Sequence, residues 1–116
     1  MNIESWLNNF KNSWVDHDVN KVMTLFTDDV EYWENPFTLI NDSNHLKKEW
    51  AGILKQTRIT IDTKVLFSDG HKHAVIWELS YSDENNNLQK WAGTYLIVLN
   101  DKNICTYFYH VGEKKI

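Results

Sequence analysis

The chain has 116 residues, 42% of them hydrophobic and 24% charged, which is the balance of a single folded domain (1–116) able to bury its own core. A formal net charge of −4 argues against nucleic acid as a partner, and the lone cysteine, Cys105, excludes an internal disulfide and a cysteine-rich metal centre. No apolar run approaches the roughly 20 residues of a membrane span. The opening Met1-Asn2-Ile3-Glu4 has no basic signal-peptide head, so a cytoplasmic domain with no membrane contact is expected.

Ile3, Trp6, Leu7, Phe10 and Trp14 recur at helical spacing and predict an amphipathic helix ending near Asp16. Asp18 suits the N-cap of a second, shorter helix whose inner face is Val19, Val22, Met23 and Phe26. A first strand is expected from Val30 to Asn35, stopped by the only proline, Pro36. A third helix is predicted from Asn44 to Lys55, capped by Asp42 or Ser43, with Leu46, Trp50, Ile53 and Leu54 inward. Gly52 weakens its last turn. Beyond Gln56 the period changes from helical to alternating. Strands are expected over Ile59–Phe67, His71–Ser82, Leu88–Leu99 and Ile104–Val111, separated by the turn Ser68-Asp69-Gly70, the polar loop 83–87 and the turn 100–103. Helices first and an antiparallel meander afterwards describe an α+β domain.

The strand Thr94–Leu99 is apolar on both faces, so its outer face should be covered as well. No helical segment is left after residue 55 to cover it, which points to a homodimer through the sheet. Trp91, Tyr95, Ile97, Ile76 and Phe108 are the expected outward residues. The chain also carries 16 aromatic residues, including six tryptophans, a surplus suited either to core filling or to a ligand pocket.

No nucleotide, metal or nucleophile motif is present, and no cofactor or metal is expected. Cys105 reads as an inert core thiol, and His71 and His73 read as surface residues beside a turn. His17 sits between two aspartates at a helix junction, where a capping role is expected. His110 could face a pocket or solvent. Glu31 and Glu34 must face opposite sides of their strand, Glu78 points outward, and no carboxylate is placed in a pocket by these patterns.

The stretch Trp14-Val15-Asp16-His17-Asp18 through Phe26, then Thr27-Asp28-Asp29-Val30 to Pro36-Phe37, Trp50, and the closing Gly93 to Ile104 resembles the nuclear transport factor 2-like superfamily. The likeness lies on the superfamily's SnoaL-like and ketosteroid-isomerase-like side. The resemblance implies three N-terminal helices held in a curved antiparallel sheet, a cone-shaped α+β barrel around a deep pocket, and dimers through the outer sheet face. It also implies an Asp base before the strand-ending proline, where this chain has Asn35. Of the two oxyanion donors, a tyrosine falls at Phe10 and a protonated Asp at Thr94. An amide and a phenyl ring cannot perform those tasks, so ketosteroid-isomerase catalytic residues are absent on this alignment.

The inward positions that the resemblance supplies are Trp14, Trp33, Asn35, Trp50, Val75, Trp77, Leu79, Thr94, Tyr107 and Tyr109. They outline an aromatic cup for a small apolar molecule oriented by Asn35, Thr94 and the two phenols. Ligand binding without an assigned catalytic residue is the leading expectation. Proton transfer on a bound carbonyl compound by Tyr107, Tyr109 or His110, in an isomerase, cyclase or dehydratase, is one alternative. A protein-interaction module with a filled cone is the other.

Overall fold

A computed structural model describes residues 2–116. Three α-helices, α1 (Ile3–Val15), α2 (Val19–Met23) and α3 (Ser43–Trp50), accompany six strands: β1 (Phe26–Asn35), β2 (Thr38–Ile40), β3 (Thr57–Asp69), β4 (Lys72–Ser82), β5 (Leu88–Leu99) and β6 (Cys105–Lys114). The strands form one curved, unclosed sheet in the order β2-β1-β6-β5-β4-β3. The sheet is mixed, because β1 runs parallel to β6 while every other pair is antiparallel.

Local chemistry sets the boundaries. The side chains of Asn2, Asp18 and Asp42 accept backbone N–H bonds from Ser5 (3.1 Å), Lys21 (3.0 Å) and Asn44 (2.9 Å), capping the three helices. The expected third helix tightens after Trp50 into a 3-10 turn, Ala51–Lys55. Asp83 Oδ1 accepts from the N–H groups of both Asn85 and Asn87 at 2.9 Å, and this orders the polar loop between β4 and β5. Strand β1 begins at Phe26, earlier than expected, and β2 is a short strand that the sequence pattern did not indicate.

The core is aromatic. Trp6, Leu7, Phe10 and Trp14 project from α1 into the concave sheet face, where Phe10 is fully buried. Its ring centroid lies 5.1 Å from Trp6, 5.4 Å from Trp50, 5.7 Å from Trp14, 5.8 Å from Tyr95 and 6.0 Å from Phe108. These spacings and the mostly edge-to-face angles are those of favourable ring pairs.

Cross-strand register decides which residues share that face. Val75 pairs with Tyr95, Trp77 with Gly93, Leu79 with Trp91, and Ile97 with Phe108. Trp91, Tyr95, Ile97 and Phe108, expected on the outside, are therefore on the inner face, and the last three are almost completely buried. Alternation on a strand that is apolar on both sides carries no sign, and only pairing with β4 supplies one. The outer face retains Ile76, and it carries Trp33, Leu96, Val98, Tyr107 and Tyr109 besides.

Phe10→Ala should remove the joint between helix and sheet at a cost of about 3–5 kcal/mol. Urea denaturation checks this: the midpoint should drop sharply, with the loss well above that of an exposed change such as Leu54→Ala.

Candidate functional site

A cavity of about 280 Å3 lies between the helices and the inner sheet face. Phe10 and Trp14 of α1, and Glu49 and Trp50 of α3, form one wall. Trp77, Leu79 and Tyr81 of β4, Trp91 and Tyr95 of β5, and Phe108 and His110 of β6 form the opposite one. Tyr32 and Glu34 of β1 close the end, and Gln56 stands at the start of β3. A broader hollow of about 730 Å3 on the outer face is edged by Asp62, Glu78, Lys90 and Glu113, all on outward strand positions, and among the described residues it contains no buried titratable group.

Of the residues expected to line the site, Trp14, Trp50 and Trp77 do so. Trp33, Asn35, Thr94, Tyr107 and Tyr109 do not. Trp33 lies on the outer face with Tyr109, ring centroids 6.2 Å apart, and its indole N–H donates to Glu31 Oε2 at 2.9 Å. Thr94 pairs with Ile76 and Val111, and Tyr107 stands one residue before the inward Phe108, so both are outward. Asn35 is exposed, and its Oδ1 accepts from Phe37 N–H at 2.8 Å, which makes it a turn residue of the β1–β2 connection. Of the four tryptophans expected in the cup, only Trp33 thus lies outside it.

The face that contains Tyr32 carries Glu34 inward with it. This half-buried carboxyl is the group that alignment on the pre-proline position missed by one residue. Burial raises its pKa, and the negative charge of Glu49 raises it further. Burial and the charge of Glu34 push the phenols of Tyr32 and Tyr95 up as well, so both stay protonated and available as donors. The Trp50 indole N–H approaches the Tyr32 phenol without reaching hydrogen-bond geometry, and the Trp77 indole N–H has no partner among the described residues.

His110 points inward. Its Nδ1–H donates to the Glu34 backbone carbonyl at 2.6 Å, since a carbonyl can only accept, and this leaves Nε2 as the free ring nitrogen. Burial lowers its pKa against the opposing pull of that bond, so the ring is held neutral. His110 stacks on Trp77 at 5.2 Å and 21°, and Trp77 stacks on Tyr95 at 5.2 Å and 14°. Gly112 makes room for this stack, and the opposed Gly93 lets β5 and β6 approach closely. A Cβ on Gly112 would lie 2.7 Å from Trp77 Cζ2 and 3.1 Å from His110 Nε2, and one on Gly93 would lie 1.8 Å from the Val111 carbonyl oxygen.

Other candidates fall outside the cavity. Cys105 is buried, with its thiol pushed up to about 12, which fits an inert role. His71 is exposed as expected, but His73 is buried: its Nδ1 meets Ser68 Oγ at 2.8 Å, and burial lowers its pKa. His17 adopts a left-handed φ of 57° at the α1–α2 junction, and its Nε2–H donates to the Gln56 carbonyl at 2.6 Å. The side-chain Oε1 of Gln56 accepts from Trp14 Nε1–H at 2.8 Å. Among the described residues no group of three potential ligands could hold a metal ion, and no helix is long and apolar enough to cross a membrane.

With this arrangement established, the SnoaL-like domain signature matches residues 7–107. The chain belongs to the SnoaL-like domain family. Solved structures agree in fold at low identity. A Δ5-3-ketosteroid isomerase from Mycobacterium sp. is 15% identical, with 97% of this chain and 98% of that chain covered and a TM-score of 0.80. RV0760c from Mycobacterium tuberculosis, in complex with estradiol-17β-hemisuccinate, is 16% identical, with coverage of 91% and 89% and a TM-score of 0.76. A computationally designed 17-OHP binder is 15% identical, with coverage of 97% and 96% and a TM-score of 0.76. No curated protein matches the chain in sequence. A SnoaL-like fold hosts both catalysis and binding, so the site must decide between them.

Gly112→Ala should force Trp77 off His110 and cost about 1–3 kcal/mol by overpacking. Gly52→Ala, where an added Cβ meets nothing within 4 Å, should be close to neutral or stabilising. Denaturation midpoints and the His110 imidazole NMR signals of the two variants check this contrast.

Proposed function

We propose that the cavity binds a small, mostly apolar molecule bearing a carbonyl group and moves a proton on it, with Glu34 as the base. The observation that carries this reading is a carboxyl of raised proton affinity set in an aromatic cavity beside two protonated phenols. A carboxylate of raised pKa is a stronger proton acceptor, and Tyr32 and Tyr95 offer O–H donors to an oxygen that gains negative charge as the proton leaves. The free Nε2 of His110 is a second acceptor through which the proton can be relayed. At about 280 Å3 the cavity sits near the small end of ligand sites, which run from roughly 300 to 1,000 Å3, and it suits a body of one or two rings. The steroid named with RV0760c and the 17-OHP of the designed binder support an apolar, ringed occupant.

A β,γ-unsaturated cyclic ketone is a direct probe, because its isomerisation to the conjugated enone is read by ultraviolet absorbance. Glu34→Gln should lower kcat by at least about a hundredfold while changing binding little. In the wild type, kcat should rise with pH through the raised pKa of Glu34, because the ionised form accepts the proton. Turnover that survives Glu34→Gln undiminished would overturn the assignment. Binding without turnover in the wild type would leave a pure ligand-binding domain.

We further propose that the protein is a cytoplasmic homodimer, the dimer formed through the outer sheet face and supported by Ile76, Leu96, Val98, Tyr107, Tyr109 and Trp33 on that side. Sedimentation at micromolar concentration should return about twice the 13.8 kDa chain mass. Leu96→Lys should return the single chain, with the fold intact by circular dichroism.

A further inference from the structure

Glu34 and Glu49 are the carboxylates of the cavity wall, and among the described residues no lysine or arginine lies on it. His110 adds no positive charge, because burial keeps it neutral. Glu49 sits at the solvent side of α3, its Oε1 3.4 Å from His45 Nε2, with both side chains about half exposed. Next to it in sequence is Trp50, whose ring meets Trp14 edge to face at 4.9 Å and 89°. From Glu49 at the solvent side inward, the cavity wall therefore combines carboxylates with aromatic rings, and a ring presents a negative face. An anion entering this cavity would lose its hydration with no cationic partner to replace it. A cation meets the opposite situation: carboxylates to pair with, and ring faces that attract it within about 6 Å.

We propose that the natural occupant is an apolar amine, protonated at neutral pH, with its ammonium held at the rim by Glu34 and Glu49 against Trp14 and Trp50. Its hydrocarbon body fills the deeper cup lined by Trp77, Tyr95 and Phe108. The inference rests on the reading of this cavity as a ligand site and specifies the charge of what enters.

Three probes share one bicyclic frame and differ in charge: 2-aminoindane, 2-indanol and indane-2-carboxylate. Their affinities at pH 7 can be read from tryptophan fluorescence and confirmed by calorimetry. The amine should bind about tenfold more tightly than the alcohol, and the carboxylate more weakly than both. Glu49→Gln, a surface change whose fold is checked by circular dichroism, should lower amine affinity about three- to tenfold and leave that of the alcohol unchanged. Raising the salt concentration should shrink the advantage of the amine. Equal binding of amine and alcohol, tight binding of the carboxylate, or an amine advantage that survives both Glu49→Gln and Glu34→Gln would overturn the charge assignment alone. If none of the three binds, the ligand-site reading falls and the inference falls with it.

Discussion

The joint between α1 and the sheet is made by the Phe10 ring, and the rest of the architecture depends on it. A phenyl ring brings no hydrogen bond, so its hold is area and shape: rings from α1, α3, β1, β5 and β6 surround it at 5–6.5 Å. Because these neighbours come from distant parts of the chain, the contact closes the concave side of the sheet over α1. Trp14 and Trp50 on one side and Tyr95 on the other are thereby set at a fixed separation, and the space left between them is the cavity. Core and site share a wall here. The same rings that stabilise the fold define what can enter it.

Much of the fold was legible in the sequence. The helical spacing of Trp6, Phe10 and Trp14, the Asp18 and Asp42 caps, and the alternation after Gln56 all correspond to elements of the structure. Orientation on the strands was harder to read. Alternation states that residues 93, 95 and 97 share a face, but when both faces are apolar it does not state which face. Loop length holds the missing sign. A five-residue connection over 83–87 pairs Ser82 with Leu88, and the uninterrupted ladder then places Tyr95 beside Val75 and Trp91 beside Leu79. Reading the hairpin outward from its loop would have turned β5 inward.

The lining of the cavity on β1 departs from the expected one for a different reason. On β1 the proline served as a ruler, which assigned the inward position to Asn35, yet that residue is spent on the turn it precedes. The inward set is Tyr32 and Glu34, and Glu31 with Trp33 forms a polar contact on the other side. Alignment to a distant fold transfers a position only to within a residue, and on a strand one residue is the difference between two faces. The physical cue was Tyr32 itself, a large apolar ring at a position that the proposed parity would have left to solvent.

The opposed glycines of β5 and β6 have a consequence for how this protein can change over time. The two strands approach so closely there that neither position accepts a side chain without moving backbone or indole. Around this fixed seam the cavity wall is built from rings contributed by both helices and strands. Selection on this chain therefore has two separate handles. Drift among the rings can alter what fits while the bowl keeps its shape, whereas a single added methyl group at the seam alters the bowl whatever the rings are. New specificities should arise at Trp14, Trp50 or Leu79 long before they arise at Gly93 or Gly112.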